Sequence, residues 1–208
     1  MNVYSFYRKI TYADRDPRHG HSAQLDLINL WKESWSKYGW NPIVLGMDDI
    51  EKDDFFWKYY NVISKLPVHN PLSYEITCWL RHISFYQASI RNNDDLFACG
   101  CYDFINYGLT PDMFPKEPCY HKHLTLWPPI LSQETISTFI NMVIDKFTNH
   151  PKRYLDKGYV REGEYSTSDM HFAIKLHEYD EIPIKRNIEK ENIYIECGIM
   201  DIKHNLNI

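Results

Sequence analysis

Short β-branched and aromatic runs alternate along the chain with longer stretches whose apolar residues recur every three or four positions. The first run, residues 3–7 (VYSFY), predicts a strand. A polar loop follows, containing Asp14, Asp16, Pro17 and Gly20. Leu25, Leu27, Ile28, Leu30, Trp31 and Trp35 then fall at helical spacing. A helix is expected there, capped by Ser22, running to about Tyr38 and stopped by Gly39. Residues 43–45 (IVL) form the second strand, so strand, helix and strand make one parallel unit.

The acidic residues 48–51 look like a helix start, with Phe55, Phe56, Tyr59 and Tyr60 able to pack one face. Pro67 and Pro71 mark a connection. Residues 74–89 form a helix with Ile76, Leu80, Ile83 and Phe85 as its apolar positions, and Arg91-Asn92-Asn93-Asp94-Asp95 forms a turn. Residues 96–99 (LFAC) are a buried strand that delivers a single carboxylate, Asp103, within Cys101-Tyr102-Asp103-Phe104-Ile105-Asn106-Tyr107-Gly108.

Beyond an irregular proline-bearing segment, residues 123–127 predict a strand ended by Pro128-Pro129. Ser132, Glu134 and Thr135 open a helix over 136–147. Residues 149–168 read as polar loop with one small strand. Ser168 caps a helix over 169–177, and residues 192–196 (NIYIE) read as a late strand. Repeats, low-complexity tracts and linkers are missing, so one domain over residues 1–208 is expected. The fold class is α/β, a mostly parallel sheet with helices on both faces. In such sheets the ligand crevice lies at the carboxyl ends of the strands, where Asp103 emerges.

Composition narrows the partners. The net charge of −5 and the scattered Lys and Arg leave no basic face, which argues against nucleic acid and against an anionic membrane surface. No apolar stretch approaches the roughly 18 residues that span a bilayer. The N-terminus reads as a mature start on a buried strand rather than a signal peptide. Five cysteines, an odd number without scaffold spacing, point to a reducing cytoplasm. Aromatics reach 15%, with 16 Tyr and 6 Trp, which suits stacking on sugars or bases but equally a tyrosine-rich core.

Several residues carry candidate chemistry. Asp103 is either a turn acid or a site carboxylate. Arg81, in a helix otherwise apolar on one side, can form an ion pair with an acid such as Asp103. Asp169 reads as a helix-terminal acid favoured by the dipole. Tyr7 and Arg8 end the first strand, beside the place where such sheets seat a base and ribose. Cys99-x-Cys101 with Cys119-x-His121-x-His123 is a rival zinc constellation. Its Cys-x-Cys spacing is not that of the usual knuckle, and strand cysteines are commonly buried hydrophobes.

The order of these features resembles the GT-A type nucleotide-diphospho-sugar transferases, in the branch of capsular polysaccharide and mannosyl or galactosyl transferases whose sugar-binding region contains a DXD motif. The matching residues are Tyr4-Ser5-Phe6-Tyr7; Trp31 and Trp35 leading to Gly39-Trp40-x-Pro42; Tyr74-x-x-x-Cys78-x-Leu80-Arg81; Tyr102-Asp103-Phe104-Ile105-Asn106-Tyr107-Gly108; Ser168-Asp169-Met170; and His204. The resemblance implies transfer of a sugar from a nucleoside-diphosphate donor to a saccharide or related acceptor. It also implies a divalent Mn²⁺ or Mg²⁺ bridging the diphosphate, held by Asp103 and His204. Tyr7, Arg8, Arg81 and Asp103 would bind the donor, and Asp169, a general base in inverting members, would be the catalytic residue that activates or orients the acceptor. The chain departs from the pattern at two places. Cys101 stands where the first carboxylate of DXD belongs, and Asn92-Asn93-Asp94-Asp95 stands for the usual Gly-Gly. The alternative is therefore a degenerate relative that binds nucleotide, glycan or a partner protein without transfer.

Overall fold

Three short strands pair in parallel at the centre of the computed structural model, which describes residues 1–10, 20–68, 70–119, 130–157, 165–182 and 184. Strand β1 (Asn2–Phe6) lies between β2 (Asn41–Leu45) and β3 (Phe97–Cys99). A fourth strand, β4 (Ile130–Leu131), adds antiparallel to β3, giving a mixed open sheet in the order β2-β1-β3-β4. Pro42 is tolerated within β2 because that strand is at the edge.

The pleat sorts the apolar residues into two layers. Val3, Ala98 and Ile130 share a register row and pack on one face with Trp31 and Trp35 of helix α1 (His21–Lys37). On the other face, Tyr4, Phe97, Cys99 and Leu131 join α2 (Asp54–Ile63), α3 (Leu72–Arg91) and α4 (Gln133–Asn149) through Tyr59, Ile63, Trp79, Leu80, Ile83, Ile136 and Ile140. The fold is thus α/β with helices on both faces of the sheet, as the alternating pattern predicts. A small hairpin, β5 (Asp156–Lys157) with β6 (Tyr165–Ser166), precedes α5 (Asp169–Glu178).

Helix ends follow local chemistry. The carboxyl end of α1 closes as a Schellman motif. Gly39 sits at φ 82°, its N–H donates to Ser36 O at 3.1 Å, and Trp40 N–H donates to Trp35 O at 3.3 Å. Its amino end differs from the expectation: Gly20, not Ser22, is the cap residue, and Ser22 lies inside the first turn. The α2 start is also displaced. Met47–Asp49 forms a separate 3₁₀ turn, and Asp53 caps α2 by accepting from Phe56 N–H at 2.7 Å. Two aspartates close together made the earlier start attractive, but the apolar face Phe56, Tyr59, Ile63 begins only after Asp53. Ser132 and Thr135 form a reciprocal capping box on α4, and the Ser168 hydroxyl accepts from His171 N–H at 3.2 Å to cap α5. The expected strands at 123–127 and 192–196 lie outside the described residues.

The α3–β3 turn anchors the amino-terminal edge of the sheet. Asn93 adopts φ 53°, the left-handed region in which Asn is favoured over most residues. The Tyr4 hydroxyl donates to Asp94 and accepts from Asn92 Nδ2 at 2.7 Å, while Asn2 Nδ2 donates to both Asp94 oxygens at 2.9 Å. Asn92 and Asp94 therefore form a polar clamp on β1, at the opposite end of β3 from Cys101.

Candidate functional site

The strands end together. Tyr7 follows β1, with its N–H still paired to Leu45 O at 2.8 Å, and Gly100 N–H pairs with Tyr4 O at 3.0 Å just before Cys101. Helix α3 leads into β3 and runs back along the sheet, so its amino-terminal half lies at this same carboxyl rim. Tyr74, Cys78 and Arg81 fall one or two turns apart on α3, as do Glu75, Cys78 and His82. These are polar and titratable positions on a helix whose other faces are apolar.

Asp169 is carried to the same rim by a separate segment. Thr167 N–H donates to Pro67 O at 2.8 Å, pinning the strand before α5 to the connection before α3. Phe172 and Leu176 dock α5 into the core, with Phe172 against Trp79, Phe147 and Tyr154. Asp169, 5% exposed, then opens α5 facing α3.

Arg81 joins the pieces. Its Nη1 donates to Cys101 Sγ at 3.1 Å and its Nη2 to Asp169 Oδ2. His82 Nε2 lies 3.2 Å from the same carboxylate oxygen, and Asp169 Oδ1 accepts from Met170 N–H at 2.8 Å. Burial works against the Asp169 charge, but Arg81, then the bond from His82, more than offset it, and the carboxyl is held below its ordinary range. Burial also works against the Arg81 charge, but Asp169 together with the thiols of Cys101, Cys78 and Cys99 outweighs it, so the guanidinium stays firmly protonated. Burial lowers the basicity of His82, and the bond to Asp169 opposes this only in part.

Glu75 and the thiols complete the cluster. Glu75 is 1% exposed, with Oε1 accepting from Asn70 Nδ2 at 2.6 Å and Oε2 buried without a hydrogen bond. Burial raises its pKa, and nearby Asp169 adds to the rise. Burial likewise pushes the Cys78 thiol up and takes Cys99 to about 12, so both are neutral thiols at ordinary pH.

A second group lies on the α1 side of the rim. The Tyr7 hydroxyl meets His21 Nδ1, their rings stack at 5.9 Å, and Tyr7 packs edge-on against Tyr102 at 5.7 Å. The Tyr102 hydroxyl donates to Gln24 Oε1 at 3.2 Å. Arg8 follows, half-buried. Asp103 lies half-buried in the turn closed by Phe104 N–H to Cys101 O at 3.4 Å. That loop is fixed to α1: Trp35 Nε1 donates to Phe104 O at 3.0 Å, and Asn106 N–H donates to Ser34 Oγ at 3.1 Å.

Of the sequence candidates, Arg81 and Asp169 are brought into direct contact. Tyr7 shares the rim with Tyr102, the neighbour of Asp103. Arg81 does pair with an acid, one of the two alternatives for it, but the acid is Asp169 and not Asp103, because the segment before α5 is pinned beside α3. His204 lies outside the described residues, as do His121 and His123. The zinc alternative loses its cysteine pairing, since Cys99 packs in the layer under α3 and Cys119 in the layer under α1. Sequence reasoning missed His82, Glu75 and the His21–Tyr7 pair. Titratable residues at 75, 78, 81 and 82, one helical turn apart on α3, were the signal that could have found the first two.

Among the described residues the donor set at Cys101 does not fit a hard divalent ion. Mn²⁺ and Mg²⁺ take oxygen ligands, and the position that would supply the first one is a thiol accepting from a guanidinium. Among the described residues no three His, Cys, Asp or Glu side chains come together as a ligand set. No helix among them is long and apolar enough to cross a membrane. Comparison with models of known protein families, with curated proteins and with solved structures finds no match to this chain.

Proposed function

We propose that the chain is a GT-A-like glycosyltransferase that binds a nucleoside-diphosphate sugar at the carboxyl ends of β1 and β3 and passes the sugar to a saccharide or related acceptor. The observation that carries this reading is the convergence of α3, the end of β3 and the start of α5 on the Arg81 guanidinium, at the rim where open α/β sheets bind ligands. Tyr7, Arg8 and Tyr102 offer aromatic and cationic contact to the base and ribose. Arg81 and the loop bearing Asp103 face the diphosphate, and the Asp169 side of α5 receives the acceptor. The reaction asks for stabilisation of a departing diphosphate, which a fixed guanidinium supplies by charge and paired hydrogen bonds. No step is assigned to a metal.

Calorimetry with UDP and GDP, each with and without Mn²⁺, tests the binding half. Release of UDP from UDP-glucose or GDP from GDP-mannose tests turnover. A second reading, binding of nucleotide or glycan without transfer, is favoured by Cys101 at the frame where the resemblance calls for a carboxylate. It predicts nucleotide binding without release from either donor.

A further inference from the structure

His82 belongs to the rim cluster but has no use in the transfer reading so far, yet it is the best placed of these groups to move a proton. Asp169 is poorly suited to that task. Its Oδ2 takes both Arg81 and His82, its Oδ1 takes a backbone N–H, and its carboxyl is stabilised as the anion. A carboxylate so engaged accepts a proton reluctantly.

The imidazole is held in a defined pose. Phe139 of α4 lies 4.8 Å from the ring and Trp79 packs edge-on at 6.5 Å. Nε2 points to Asp169 Oδ2 at 3.2 Å. Because that oxygen belongs to an anion, Nε2 carries the proton and donates, which leaves Nδ1 with a lone pair. Among the described residues Nδ1 makes no hydrogen bond, and the side chain is 17% exposed. The groups facing the ring are Asp169 from α5, Arg81 and Trp79 on α3 itself, and the uncharged Phe139 from α4. Arg81 and burial keep the ring neutral at rest, and Asp169 stands ready to stabilise it once charged. This is the division of labour in which a carboxylate orients an imidazole and the imidazole takes the proton.

We propose that His82, oriented by Asp169, is the general base that deprotonates the acceptor hydroxyl. The inference rests on the transfer reading above and names the proton acceptor within it. The acceptor oxygen bonds to the anomeric carbon of the donor sugar as the bond from that carbon to the diphosphate oxygen breaks. The electron pair of the broken bond leaves with the nucleoside diphosphate. The hydroxyl proton passes to Nδ1, and the resulting imidazolium lies against the Asp169 carboxylate. A single base-assisted displacement inverts the anomeric configuration. Asp169 is a positioning residue in this scheme, and its loss is felt through the tautomer of His82.

Two measurements test it. In ¹⁵N-histidine NMR, His82 is expected neutral at pH 7 with the proton on Nε2, and Asp169→Asn releases that tautomer. A ring protonated on Nδ1, or charged at pH 7, overturns the proposal without any nucleotide being needed. In release of UDP from UDP-glucose or GDP from GDP-mannose, His82→Gln is expected to lose about 10²–10⁴-fold in turnover with calorimetric nucleotide affinity unchanged. Added imidazole is expected to restore part of the rate in His82→Ala. A His82→Gln protein that binds nucleotide and turns over at the parent rate overturns the base role while leaving the transfer reading intact. A chain that binds neither UDP nor GDP overturns the transfer reading and the base role with it.

Discussion

Arg81 on α3 and Asp169 at the start of α5, 88 positions apart in sequence, form an ion pair at the carboxyl rim of the sheet. The pair is unevenly buried, Arg81 at 26% exposure and Asp169 at 5%. Removing one partner leaves the other charge in a poorly solvated place. Asp169→Ala is expected to cost about 3 kcal/mol in urea unfolding, the low end for a buried pair because Arg81 keeps some water. Arg81→Ala added to Asp169→Ala should cost less than the two single changes together, and a coupling near zero would contradict the pairing.

The same cluster sets how stability varies with pH. The Asp169 carboxyl is lowered in the folded state, so its contribution is full above about pH 4 and is lost as pH falls through the folded value. His82 is also lowered, so the unfolded chain binds the proton first, and stability declines as pH falls below about 6.5. His82→Gln should remove that first decline in urea midpoints measured from pH 7.5 to 5 and leave the steeper loss below about pH 4. Identical profiles for the two proteins would contradict it.

Glu75 has the opposite sign. Its folded-state pKa is raised, so stability is full below about pH 4.3 and is lost as pH rises through the folded value. With Oε2 buried and without a hydrogen bond, and Asp169 nearby, the charged form is strained at neutral pH. Glu75→Gln keeps the shape and removes the charge. It is expected to stabilise the protein by about 1 kcal/mol at pH 8, with the gain vanishing toward pH 4. Thermal melts across that range read the effect directly, and a loss of stability at pH 8 would count against this account of the site.

The three parallel strands, α1, α3, α4 and the cap of α5 were legible because each rests on a local cause, whereas β4 at Ile130–Leu131 went unread beyond Pro128-Pro129. The apolar period of residues 25–35, Gly39 as a left-handed stop and Ser132 with Thr135 as a capping box are all decided within a few residues. Asp169 and Arg81 were legible as candidates, but not as partners, since their meeting depends on Thr167 pairing with Pro67 across the fold. Asp103 was the more visible acid in sequence because it follows a strand, and for that reason it was the acid offered to Arg81. His82 was hidden by its neighbour: one titratable residue on a helix draws attention, and the second passes as ordinary. The start of α2 was misread because Asp48 and Asp49 lie in a turn of their own, which Asp49 closes by accepting from Gly46 N–H at 2.7 Å.

The frame at Cys101 gives a prediction about chemistry. Cys101→Asp places a carboxylate beside Arg81 and adds an oxygen ligand to the rim, whereas Asp103→Ala removes the carboxylate the loop already has. Turnover of UDP-glucose or GDP-mannose should rise in the first and fall in the second, and Mn²⁺ should stimulate the first more than the parent. Unchanged turnover in both would remove this loop from the reaction. Tyr4→Phe serves as a distant control. It breaks the clamp on Asp94 and is expected to cost about 1 kcal/mol in stability with nucleotide affinity unaltered.

The central claim is that the carboxyl rim around Arg81 is a nucleoside-diphosphate site. Isothermal calorimetry of the whole chain with UDP and with GDP, repeated on Arg81→Gln, measures it most directly. The account predicts saturable binding of one of the two nucleotides and at least tenfold weaker binding in Arg81→Gln, equivalent to about 1.4 kcal/mol. Absence of heat with both nucleotides, or equal affinity in the parent and Arg81→Gln, would contradict it.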